Sequence, residues 1–145
     1  MDITTIKTMI DTDLRMNDSA LDTESMRIPQ IHGKYLNIFH DEKLILQSLK
    51  MKRRVLLKDK WEYFNGKMDA DTLQERGWEP FALKILKQDI GMYIDSDSEM
   101  LTIDAKLNIQ QEKVDFLQET IKKINNLQWH IRDAIAWRKF INGVN

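Results

Sequence analysis

Lys50, Lys52, Arg53, Arg54, Lys58, Lys60 and Lys67 fall within Leu44 to Lys67, against only Asp59 and Glu62. Three rings, Trp61, Tyr63 and Phe64, stand among the last of these cations. Cations neutralise phosphates and release their counterions, and flat rings give bases a surface to stack on. The chemistry offered is nucleic-acid binding, with a solvated basic helix face as the plain alternative. Wound as a helix at about 100° per residue, Lys50, Arg54 and Lys58 form one stripe with Trp61 on the same side. Arg53 and Lys60 project nearer the apolar rows of Leu49, Leu56, Leu57 and Phe64. There they must snorkel to water or sit where subunits meet around a shared channel. Helix position thus favours Lys58 over Lys60.

No other constellation carries chemistry. Gly66-Lys67 looks like the end of a phosphate loop, but Met68 replaces its Ser or Thr and Trp61 its first glycine. Asp95, Asp97 and Glu99 open like a calcium loop. Met100 and Lys106 then stand where that loop needs glycine and glutamate, so a helix cap explains the acids better. His32, His40 and His130 are scattered without ligand spacing. The expectation is a protein that is not an enzyme, with no cofactor and no metal. Trp129 and Trp137, eight apart near one helix face, read as interface or core; Trp78 has no assignable place.

The elements that must carry the basic stripe are helical. The 145 residues hold five glycines and two prolines, and 31% are charged, a composition for long helices in one domain. The formal net charge is −1, so whole-protein charge says nothing about nucleic acid. There is no cysteine, which fits a reducing cytoplasm. No apolar run approaches a signal segment or a membrane span, so a soluble intracellular chain is expected.

Residues 1–27 carry six acids against Lys7, Arg15 and Arg27 and form an acidic N-terminal arm. Ile3 to Met16 can make a short amphipathic helix, expected to be peripheral. A second helix is expected to start between Thr23 and Pro29, with the proline in its first turn. Ile28, Ile31, Tyr35, Ile38, Ile45, Leu49, Leu56 and Tyr63 recur at helical steps, beside a row of Phe39, Leu46, Leu57 and Phe64. The pattern runs to Asn65-Gly66, about 37 residues or about 55 Å. So long a helix buries its face in so small a domain only by packing on other chains, which implies oligomerisation.

Residues 67–80 read as a connection with a helical turn after Asp71. Pro80 opens a short amphipathic piece, and 88–95 is expected to be irregular. Ser96 with Glu99 gives a capping-box signal for a last helix. Its seam is Ile103, Leu107, Val114, Leu117, Ile121, Ile124, Ile131 and Ile135, interrupted by Gln110 and Gln128. The expected fold class is all-α: long antiparallel helices with a smaller middle element. The expected division is arm 1–27, DNA-binding helical region with connection 28–95, and C-terminal oligomerisation helix region 96–145.

The run Leu57-Lys58-Asp59-Lys60-Trp61-Glu62-Tyr63-Phe64-Asn65-Gly66 resembles a signature of the UvsY family of phage recombination mediators. The likeness continues through Val114-Asp115-Phe116-Leu117 and Ile131 to Phe140, covering roughly residues 34–143. It implies a ring-like homo-oligomer, six- or sevenfold, held mainly by the C-terminal region; Ile121, Ile124, Ile131, Ile135 and Trp137 are the expected contacts. It also implies binding to single-stranded DNA. The ring then helps load a RecA-like phage recombinase onto strands covered by the phage single-strand-binding protein, in the cytoplasm of the infected host. The family's paired basic residues match Lys58 and Lys60. Lys60 stands where arginine is frequent and lacks the bidentate fork, and Glu62 and Phe64 depart mildly from Asp and Tyr. The expected DNA-binding set is Lys58, Lys60, Arg54, Lys50, Trp61 and Lys67, with subunit packing as the other reading of Trp61. A structural coiled-coil scaffold or chaperone explains the periodicity equally well but not the basic-aromatic concentration. A duplex-DNA binder would need a recognition-helix motif, and none is visible.

Overall fold

A computed structural model describes residues 1–143. These residues are helical without strands: α1 (Ile3–Asp13), α2 (Leu21–Phe64), α3 (Ala70–Arg76), a 3-10 turn (Lys87–Asp89), α4 (Ile90–Asp95) and α5 (Ser98–Ile141). They form two compact units, one of residues 1–43 with 112–145 and the other of residues 44–111. The units cut across the helices: α2 is divided after Lys43 and α5 after Gln111. No helix among the described residues is long and apolar enough to cross a membrane.

In the first unit α1 is part of the core rather than a peripheral arm. Ile6 and Ile10 are buried with Leu21, Ile28, Ile31 and Tyr35 of α2 and Leu117, Ile124 and Ile131 of α5. Asp2 caps α1 by accepting the Thr5 N–H at 2.7 Å. The Arg27 guanidinium donates to the Asp13 and Arg15 carbonyls, both at 2.9 Å, and so ties off the end of α1. Arg138 pairs with Asp18 at one end of the unit and Lys113 with Glu42 at the other, so α2 and α5 run antiparallel here.

The Asp13 carboxylate takes the Lys34 ammonium and the Tyr35 hydroxyl, each at 2.7 Å. Lys34 first and Tyr35 second hold the Asp13 pKa below its ordinary 3.8, against the opposing effect of burial. Burial and this same carboxylate push the Tyr35 phenol up. A depressed carboxylate contributes stability that is fully present above its unfolded pKa and is lost as pH falls through the folded one. Asp13→Asn is therefore expected to cost about 1 kcal/mol at neutral pH. It should also flatten the loss of thermal stability below pH 3.8, measured by circular dichroism melts of both proteins.

α2 begins at Leu21, earlier than the proline signal implies, because Ala20 accepts the Glu24 N–H and Asp22 and Glu24 favour the first turn. Pro29 therefore lies inside the helix and cannot give the usual bond to the Ser25 carbonyl. At the other end Gly66, at φ +69°, reverses the chain: its N–H bonds the Tyr63 carbonyl and the Lys67 N–H the Glu62 carbonyl.

The second unit is built on Phe64, Ile90, Ile94 and Met100, with Leu56, Tyr63, Phe81, Ile85 and Tyr93 around them. Phe64 meets Phe81 edge-on at 5.1 Å, and the Tyr63 hydroxyl donates to the Glu79 carbonyl at 2.6 Å. Residues 90–95, expected to be irregular, form α4, which buries Ile90 and Ile94. α3 is capped by Asp69, whose carboxylate accepts the Thr72 N–H. It stops at Gly77, φ +72°, where the Trp78 N–H returns to the Leu73 carbonyl. The cap of α5 is Asp97 rather than Ser96. Its Oδ2 accepts the Glu99 and Met100 N–H groups, both at 3.1 Å, while the Ser96 hydroxyl turns back to the Met92 carbonyl.

Candidate nucleic-acid interface

The basic half of α2 lies in the second unit, where one side is committed to the interior. Leu46 and Phe64 are buried, and Arg53 pairs with Asp104 of α5 at 2.5 Å. That carboxylate raises the Arg53 pKa and holds its charge. Lys60 is 4% exposed, its Nζ 3.1 Å from Asp97 Oδ1 and 3.4 Å from Glu99 Oε1. The Trp78 ring covers it at 3.9 Å, and Trp78 Nε1 donates to the same Glu99 oxygen at 2.6 Å. Arg53 and Lys60 thus neither snorkel nor wait for another subunit: acids of α5 and its cap satisfy both within the chain. Arg53 to Asp104 and Lys60 to Asp97 also fix antiparallel pairing of α2 and α5 in this unit.

On the opposite side Lys50, Arg54 and Lys58 are exposed. A four-residue step is about 6 Å along a helix, so they present three cations in a row. Lys58 meets only the weak pull of Glu62, 3.9 Å away, and is itself 75% exposed. Trp61 is 46% exposed two turns beyond Arg54 and one beyond Lys58, and Lys67 Nζ lies 5.2 Å from its ring. Leu44, Met51 and Val55 are exposed along the neighbouring edge of the row. Cations, a half-open indole and apolar side chains make a surface on which phosphates and bases of one strand can both be met. Of the residues expected to bind DNA, Lys50, Arg54, Lys58, Trp61 and Lys67 stand on open surface, and Lys60 stands behind Trp78.

Sequence reading missed Trp78, Asp97 and Glu99 as partners of that patch. Asp69 as a cap and Gly77 as a left-handed stop were the signal that α3 ends just before Trp78.

The residues expected to join subunits divide. Ile124 and Ile131 are buried in the core of the first unit, with Ile121 and Ile135 packed against it. Trp137 is 61% exposed and stacks on Phe140, itself 71% exposed, at 5.7 Å and 23°. Trp129, under the Arg132 guanidinium, and Ile141 are exposed in the same last turns of α5. Among the described residues no group of His, Asp and Glu could hold a metal ion.

This all-helical fold is one already seen in a phage recombination mediator. Crystal structures of the bacteriophage T4 recombination mediator protein UvsY superpose with a TM-score of 0.86 at 19% identity, covering 98% of each chain. A second crystal form gives 0.85 at 18% identity over 97% of this chain and 99% of that one. The family model described as "Recombination, repair and ssDNA binding protein UvsY" matches residues 9–144. The chain belongs to the UvsY family. No curated protein sequence matches it.

Proposed function

We propose that this protein is a recombination mediator that works without catalysis of its own, in the cytoplasm of an infected bacterial host. It binds single-stranded DNA as a homo-oligomer, six- or sevenfold. It promotes loading of a RecA-like phage recombinase onto strands coated by the phage single-strand-binding protein. The observation that carries this reading is the open row Lys50, Arg54, Lys58 ending at Trp61, on a chain of the UvsY family. Lys50, Arg54 and Lys58 take successive phosphates, and Trp61 with Lys67 holds a base and its phosphate. Repetition around an oligomer turns modest patches into avid binding of one flexible strand, while duplex DNA resists the curvature.

The test is a titration of a labelled single strand and an equal-length duplex at several salt concentrations. Preference for the single strand is expected, with a log–log slope of about 0.7 per phosphate neutralised. No binding at low salt would move the assignment to a coiled-coil scaffold.

Trp137, Phe140 and Ile141 leave more apolar surface in water than a lone helix end requires, and a second copy is the occupant proposed for it. Trp137→Glu with Phe140→Glu is expected to lower the mass seen by light scattering while the helical circular dichroism persists. An unchanged mass would refute a C-terminal subunit contact.

A further inference from the structure

Lys60 and the Trp78 indole N–H converge on one carboxylate oxygen, Glu99 Oε1, at 3.4 and 2.6 Å. A buried cation and a neutral donor aimed at a single oxygen are what an anionic oxygen of any kind requires, a phosphate included. Two acids face the one cation, and they are not equivalent. Asp97 is the sheltered one: its Oδ1 pairs with Lys60 at 3.1 Å while its Oδ2 holds two N–H groups at the start of α5. Its departure would uncap a 44-residue helix. Glu99 is 49% exposed and caps nothing. Of the two it is the one that can leave. Trp78 lies between Gly77 and Pro80, outside any helix, so its indole can stay with whichever anion takes the place.

We propose that Glu99 occupies an anion site made by Lys60 and Trp78 Nε1, and that a phosphate of a bound single strand displaces it. This rests on the single-strand reading above and adds a masked contact across α2 from the open row of Lys50, Arg54 and Lys58. The mask makes the last contact conditional. A strand must first be held along α2, and the chain's own carboxylate then competes for Lys60 and helps release the strand.

Glu99→Gln keeps an acceptor for the indole and removes the competing charge; Glu99→Ala is the second variant. In the full chain each is expected to raise single-strand affinity about fivefold, the order a half-exposed ion pair supports. The log–log salt slope should steepen by about 0.7, one more phosphate neutralised. Adding Lys60→Gln to Glu99→Gln should abolish both gains. Affinity and slope equal to the unaltered protein would overturn the proposal, as would a gain that survives Lys60→Gln. If no protein in the set binds a single strand, the proposed function fails. The anion site is then decided with inorganic phosphate, read on the Trp78 indole N–H resonance assigned through Trp78→Phe. A saturable shift in Glu99→Gln, weaker in the unaltered protein, upholds the site; no shift in Glu99→Gln overturns it.

Discussion

With Lys50, Arg54 and Lys58 all replaced by alanine, single-strand affinity near 0.1 M salt is expected to fall roughly a hundredfold per engaged chain. Each phosphate contact carries a slope of about 0.7, so three contacts are worth about two decades at that concentration. The slope itself should drop by about 2, which separates lost phosphate contacts from a loss of fold. Alanine is the best helix former and all three side chains are exposed, so stability should stay within about 0.5 kcal/mol. Loss in several subunits on one strand multiplies through avidity. An unchanged affinity would put the binding surface elsewhere. A changed mass by light scattering would make these cations subunit contacts instead.

Ile131→Asp is expected to unfold the first unit. Ile131 is buried with Ile124, Leu117, Ile28 and Ile6, and no buried cation of that cluster stands ready to pair with a new carboxylate. Loss of the side chain's burial plus an unpaired buried charge costs about 4 kcal/mol or more, a large share of the 5–15 kcal/mol that holds such a domain. The measurement is far-UV circular dichroism through a thermal melt, with Trp137→Glu as the partner variant that should keep its melting temperature. An Ile131→Asp protein that melts like the parent but loses mass would instead put this isoleucine between subunits.

Both cases start from helix faces that are legible in the sequence. The rows Ile28, Ile31, Tyr35 on α2 and Val114, Leu117, Ile124, Ile131 on α5 recur at helical steps, and all of them are buried. Periodicity alone does not say whether the partner face belongs to the same chain or another. Ile124 and Ile131, expected between subunits, meet their own chain because α1 and the two long helices bury them together. Ile45 and Leu57 belong to the same rows yet are exposed. Leu46 and Phe64, before and after Leu57 in its row, are buried, so spacing alone does not select which positions are covered.

Local pattern was enough for the all-helical class, the long α2 with its stop at Gly66, and the stripe of Lys50, Arg54 and Lys58 beside Trp61. Each follows from local rules: helical spacing, a residue that tolerates positive φ, and charge at four-residue steps. It also pointed, through the run Leu57 to Gly66, to the family that the matched model establishes. Three-dimensional packing set the rest: α1 is core, Asp97 caps α5, and Lys60 is covered. Lys58 and Lys60 are two residues apart and identical in type, yet one is open to water and the other faces Asp97, Glu99 and Trp78. What separates them is the return of the chain from Gly77 and the antiparallel pairing of α2 with α5. The contacts of Lys60 alone join residues up to 39 positions apart, beyond the reach of any local pattern.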